Sequence, residues 1–154
     1  MKRLICALVL VLLIATPSLG QQSVVGTYKL VSNVVEVDGT PFQPMGKAFR
    51  GYLVITPTRF ILFITAENRK FGTSVDEKAA LLDSLTAYAG VYRVEGDKFI
   101  FTNEVSWVEG SIGKPYEETF KLSGNRLTRT LGPIPFPRDP SKTMIRRDVW
   151  EKIE

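Results

Sequence analysis

Short runs of β-branched and aromatic residues alternate with turn chemistry along almost the whole chain beyond residue 20, and that rhythm constrains the fold more than any other feature. Such runs, separated by Gly, Pro, Asn and Asp, are the pattern of an all-β sandwich or barrel. The first, Val24 to Val37, mixes valines with Tyr28 and Leu30 and ends at Asp38-Gly39, a strong hairpin signal. Pro41, Pro44 and Gly46 then predict a loop, since proline cannot donate to a ladder and glycine relaxes the backbone.

Gly51 to Thr56 and Phe60 to Ala66 flank Pro57-Thr58-Arg59 as a second hairpin. Its far strand, Phe60-Ile61-Leu62-Phe63-Ile64, is apolar on both faces and is expected to be covered on both sides. One helix is predicted over Ser74 to Leu85, where Ser74 and Glu77 form a capping box and Ala79, Leu82 and Leu85 share a face. It is expected to pack on the wall or close one end. Ala87 to Val94 and Lys98 to Trp107 flank a Glu95-Gly96-Asp97 turn, and Phe99, Phe101, Asn103, Val105 and Trp107 alternate onto one face. Tyr116 to Leu122 and Arg126 to Leu131 are joined by Ser123-Gly124-Asn125, the proline-rich Gly132 to Pro140 reads as a loop, and a last strand covers Thr143 to Ile153. About eight strands with hairpin-length connections predict an antiparallel up-and-down barrel with one short helix, of a size that can hold one small ligand. Closure also removes sheet edges.

The N-terminus has a different pattern. Lys2 and Arg3 precede an apolar run from Leu4 to Ala15 and a tail ending Ser18-Leu19-Gly20, the layout of a cleavable secretory signal. The run is shorter than the roughly 18 residues a membrane span needs, so no stable anchor is expected after cleavage. The expected organisation is therefore a signal peptide at 1–20 and one barrel domain at 21–154, secreted or periplasmic. The only cysteine, Cys6, lies in the signal, and the chain has no histidine. The domain is thus expected to form no disulfide and no Cys/His metal site, and nothing in the residues calls for a cofactor. Loss of Lys2 and Arg3 lowers the net charge from +4 to +2, too balanced for a nucleic-acid partner. Arg146 and Arg147 read as a solvated strand face or a barrel-end contact.

Three short motifs carry a resemblance. Gly26-Thr27-Tyr28-Lys29-Leu30-Val31-Ser32, Tyr88-Ala89-Gly90-Val91-Tyr92 and Trp150-Glu151-Lys152 are similar, in order and spacing, to the first-strand, middle and closing signatures of the lipocalin-like domain of bacterial and fungal proteins, a calycin-type barrel. Tyr28 stands where that family often has tryptophan. Phe101 to Ser106 stands where many members carry a histidine, so histidine-dependent chemistry does not carry over. The resemblance implies a barrel around a cavity, and it keeps open an isomerase or cyclase activity known among such domains.

Inward polar groups are the candidates for recognition. Asn103 interrupts an apolar face, either as a satisfied core amide or as a ligand anchor. Tyr88 and Tyr92 share a face and serve as wall packing or as donors to a ligand. Trp107 is placed near a mouth, and Trp150 with Tyr28 as a plug where the first and last strands meet. Glu118, in phase with Tyr116, Phe120 and Leu122, is either a solvated carboxylate or an inward one whose natural partner is Arg129. The leading expectation is a protein that binds a small hydrophobic molecule without catalysis. Its candidate lining is Tyr28, Leu30, Phe63, Tyr88, Tyr92, Phe101, Asn103, Trp107, Glu118, Phe120 and Arg129. The alternatives are a cofactor-independent isomerase or cyclase using Glu118, Tyr88 and Asn103, and a filled barrel acting as an interaction module.

Overall fold

The computed structural model describes residues 24–136 and 139–154. The expected signal at 1–20, with Cys6, lies outside the described residues. Nine strands form one antiparallel sheet: β1 (Gly26–Val37), β2 (Thr40–Phe42), β3 (Arg50–Ile55), β4 (Arg59–Thr65), β5 (Leu85–Glu95), β6 (Lys98–Ser106), β7 (Pro115–Ser123), β8 (Arg126–Phe136) and β9 (Asp139–Lys152). Pairing of β1 with β9, from Tyr28↔Lys152 to Val37↔Met144, closes an eight-stranded barrel, and β2 is a short ribbon that, among the described residues, pairs with the far end of β1 alone. The β1–β2 turn is Asp38-Gly39, both at positive φ (47° and 79°), as a two-residue hairpin requires.

The two ends of the barrel differ in their connections. At one end the strands are joined by tight turns at residues 56–58, 96–97 and 124–125, beside both described termini. The longer connections, 38–49, 66–84 and 107–114, all lie at the other end. The tight-turn end is filled. Tyr28, Trp150 and Phe60 have no exposed surface and pack with Leu53, Ile55, Phe99 and Leu127. The Tyr28 hydroxyl donates to the Val24 carbonyl (2.9 Å) and the Tyr92 hydroxyl to the Thr56 carbonyl (2.8 Å), so both phenols are satisfied by backbone. Tyr28 and Trp150 thus form the expected plug.

Three expectations need correction. Ile61 and Phe63 are 48 % and 53 % exposed, so β4 is covered on its inner face only; beside Tyr52, they leave an apolar strip on the outer wall. The helix α1 (Val75–Asp83) has the expected Ser74/Glu77 capping box but no buried residue, and it lies at the long-loop end without plugging it. Its apolar stripe is too weak to pull it into a core. Gly132 to Phe136 is not a loop. It extends β8 beyond an irregularity between Leu131 and Ile134, at a cis Gly132-Pro133 bond, and pairs with the start of β9. Proline is tolerated there because the ladder is already interrupted.

Candidate functional site

At the long-loop end the barrel interior is hollow. Two adjoining spaces of about 340 and about 310 Å³ remain between the inward side chains. The larger is walled by Phe101 and Asn103 of β6, Tyr116 and Glu118 of β7, and Leu131 and Ile134 of β8, with Trp107 and Val108 after β6. The smaller is walled by Asn33 and Val35 of β1, Ile64 of β4 and Asp148 of β9, with Phe42, Pro44 and Met45 across it. Thr86, Tyr88, Met144 and Arg146 line both. Tyr88 stacks on Phe101 and Phe101 on Tyr116, with ring centroids 6.0 and 5.3 Å apart, giving the hollow a flat aromatic side.

Two bulges decide which side chains face inward. In β1 the register with β9 shifts between Leu30 and Ser32, so Tyr28 and Leu30 point inward before the shift and Asn33 and Val35 after it. In β6 the pairing steps from Gly90↔Asn103 to Ala89↔Val105, which leaves Glu104 as an extra residue. A Cβ on Gly90 would fall 1.9 Å from the Thr102 carbonyl oxygen, so the bulge requires glycine at this point. Asn103 is 4 % exposed; its Nδ2 donates to Ser111 Oγ (3.3 Å), whose hydroxyl donates to the Val108 carbonyl (2.8 Å). The amide therefore fastens the 107–114 loop to the wall of the hollow.

At the base of the hollow lies a cluster of four charges, of which Glu118, Arg129 and Asp148 are buried and Arg146 is partly exposed. Glu118 Oε2 is 2.8 Å from Arg129 Nε, with both side chains 1 % exposed, and Glu118 Oε1 accepts from Arg146 Nη2 at 2.6 Å. Arg146 Nε is 3.2 Å from Asp148 Oδ2, and Asp148 Oδ1 accepts from Asn33 Nδ2 at 2.6 Å. The Arg129 contact is a charge contact without hydrogen-bond alignment, and its two terminal nitrogens have no hydrogen-bond partner among the described residues. Its guanidinium instead lies 4.7 Å from the Phe99 ring centre and 5.6 Å from that of Phe101.

The members of the cluster do not share burial equally. Burial alone would lower the pKa of Arg146, but Asp148 and Glu118 outweigh it and push it up. Asp148 meets a single guanidinium at contact distance and the like charge of Glu118, so burial holds its carboxyl above the usual aspartate range against Arg146 and Asn33. Burial also raises Tyr88, although Arg146 and Arg129 pull it back, and the phenol keeps its proton at neutral pH. Among the described residues no group of three or more His, Cys, Asp or Glu side chains is placed to hold a metal ion.

The family model for the lipocalin-like domain matches residues 25–153, the whole barrel. The chain belongs to the lipocalin-like domain family. A search of curated proteins finds no match to it.

Within this lipocalin-like barrel the expected site residues separate into four groups. Tyr88, Phe101, Asn103, Trp107 and Glu118 line the larger space. Arg129 lies against Glu118 but walls neither space. Tyr28, Leu30 and Tyr92 belong to the packed end and Phe120 packs against it, so none of the four lines the hollow; the tight turns draw that end together and leave no room. Phe63 points to the outside, because its neighbours Leu62 and Ile64 take the inward positions. Val105, expected on the inner face, is 66 % exposed beyond the bulge. Glu118 is buried and not solvated.

Sequence reasoning missed Arg146, Asp148 and Asn33. For the first two the signal was present: Met144, Arg146 and Asp148 are in phase with the plug residue Trp150, and a period of two puts them inside. Asn33 had no such signal, because only the bulge turns it inward.

Proposed function

We propose that this lipocalin-like barrel binds a small, mostly apolar molecule in its hollow half. The observation that carries the reading is the division of the interior. One end is filled with aromatic and aliphatic side chains, while the other keeps about 340 Å³ lined by Phe101, Trp107, Leu131, Ile134 and Met144 around the polar groups of Asn103 and Tyr88. Mostly apolar walls with a few placed polar groups, in a space of some 300–1,000 Å³, are the usual properties of a small-molecule site. The same division weighs against a filled barrel acting only as an interaction module.

Catalysis is less well supported. Both Glu118 oxygens lie against guanidinium groups, and Tyr88 is held as a neutral phenol. An isomerase or cyclase step would have to draw a proton acceptor out of two ion pairs, whereas binding uses the cluster as it stands. The N-terminal pattern supports work outside the cytoplasm after cleavage at Gly20.

Native mass spectrometry of residues 21–154 with a panel of fatty alcohols, fatty acids, isoprenoids and aromatic polyketides tests the reading. A one-to-one complex with at least one class, weakened when Met144 and Leu131 are enlarged to tryptophan, is expected. Absence of any complex, or binding unaffected by filling the hollow, would overturn it.

A further inference from the structure

We propose that the hollow selects uncharged ligands over ionised ones: its occupant ends in a hydroxyl, ketone or amide and not in a carboxylate. The proposal rests on the binding role above and specifies the class of ligand. It follows from the charge balance of the walls.

Four ionisable side chains surround the base of the hollow, two arginines and two acids, with formal charges that cancel. Each lies against an opposite charge. The terminal nitrogens of Arg129 that make no hydrogen bond among the described residues belong to a guanidinium set against the Phe99 and Phe101 rings, in a side chain that walls neither space. Glu118 lies between Arg129 (2.8 Å) and Arg146 (2.6 Å), and Arg146 lies between Glu118 and Asp148 (3.2 Å). Asp148 also takes a hydrogen bond from Asn33 and pairs in register with Arg129 across β8 and β9. Among the described residues, none lining either space is charged apart from Glu118, Arg146 and Asp148.

An entering carboxylate therefore meets, among the described residues, a wall with no net positive charge. To pair with Arg146 it would have to share a guanidinium whose Nη2 and Nε already hold Glu118 and Asp148, and so bring a third negative charge to a cluster that has two positive ones. If it stays unpaired, it bears its own desolvation. A neutral polar end makes no such demand. Thr86, Ser106 and Ser111 offer hydroxyls and Asn103 an amide in the same walls, while Phe101, Trp107, Ile134 and Met144 take the hydrocarbon.

The charge balance also says how to reverse the preference. Asp148→Asn keeps the size of the side chain and an oxygen for Asn33 while removing one negative charge, so Arg146 is left in excess. Glu118→Gln makes the same change in charge from β7.

Isothermal titration calorimetry at about pH 8 with dodecanol, dodecan-2-one and dodecanoate, below their aggregation limits, tests the proposal on residues 21–154. The unaltered protein is expected to bind the alcohol and the ketone at least about tenfold more tightly than dodecanoate, and Asp148→Asn to shift the ratio toward dodecanoate by about tenfold or more. If Asp148→Asn does not fold by circular dichroism, Glu118→Gln supplies the same comparison. Dodecanoate binding the unaltered protein as tightly as dodecanol, or an unchanged ratio in the folded variant, would overturn the selectivity and leave the binding role intact. Failure of all three to bind would overturn the proposal, and the binding role with it where the wider panel also forms no complex.

Discussion

Arg129 and Glu118 meet diagonally across β7 and β8, Nε to Oε2 at 2.8 Å, with both side chains 1 % exposed at the boundary between the filled and hollow halves of the barrel. A buried ion pair of this kind is weak evidence for net stability, because desolvation offsets the attraction, but removing one partner leaves an uncompensated charge. Arg129→Leu is therefore expected to cost about 3 kcal/mol or more in urea unfolding. Arg129→Leu combined with Glu118→Leu is expected to cost clearly less than the sum of the two single changes, because Arg146 keeps Asp148 as a partner. Additive losses would mean that the two side chains do not act as a pair.

Asp148 sets a dependence on pH. Burial raises its pKa in the folded protein above its ordinary value of 3.8. The folded state then holds the proton more tightly than the unfolded state, so the stabilising contribution of Asp148 is present at low pH and is lost as pH rises from the unfolded value through the folded one. Asp148→Asn cannot titrate. Unfolding free energies measured between about pH 3 and pH 8 should show the difference, unaltered protein minus variant, falling across that window and level above it. A difference that rises with pH would contradict the burial argument.

Gly90 permits the bulge that turns Ser106 toward the hollow and Val105 away from it. A methyl group there would meet the Thr102 carbonyl oxygen at 1.9 Å, and backbone cannot move aside as a flexible side chain can. Gly90→Ala is expected to cost about 1–3 kcal/mol, the range of overpacked positions, and to broaden amide resonances of β5 and β6 before those of β1 and β9. A neutral substitution would show that the bulge has room to spare.

Export has its own test. Intact mass of the protein recovered from outside the cytoplasm of an expressing bacterium is expected to begin at Gln21, and its unfolding temperature to be the same with and without reductant, since Cys6 is the only cysteine. Retention of residues 1–20, or a shift with reductant, would place the boundary elsewhere.

Much of this barrel was legible in the sequence because strands and hairpins are local. Asp38-Gly39 dictated its turn, Ser74 and Glu77 their capping box, and the phase of Glu118 with Leu122 and of Arg129 with Leu127 brought the two charges to one face. The eight strands could be counted without any long-range information. What failed was phase across irregularities. An extra residue at Glu104 reversed Val105, and the shift after Leu30 turned Asn33 inward; neither leaves a mark in hydrophobic alternation.

The site was harder to read than the fold because a cavity depends on which end of the barrel is filled. Tyr28, Leu30 and Tyr92 are as aromatic or aliphatic as Tyr88 and Phe101, and only their position at the tight-turn end removes them from the hollow. A usable signal lay in the connections, since turns of two or three residues alternate along the chain with long loops, and alternate connections share an end of an up-and-down barrel. Arg146 was passed over because its neighbour Arg147 suggested a solvated pair, although alternation sends the two to opposite faces; Arg147 reaches Glu36 outside.

The most direct test of the account is a two-dimensional amide NMR titration of residues 21–154 with dodecanol. The account expects saturable shifts concentrated at Tyr88, Phe101, Asn103, Trp107, Met144 and Arg146, with Tyr28, Tyr92 and the Trp150 indole nearly unmoved. Shifts confined to the outer wall around Tyr52, Ile61 and Phe63, or centred on the packed end, would contradict a binding site in the hollow half.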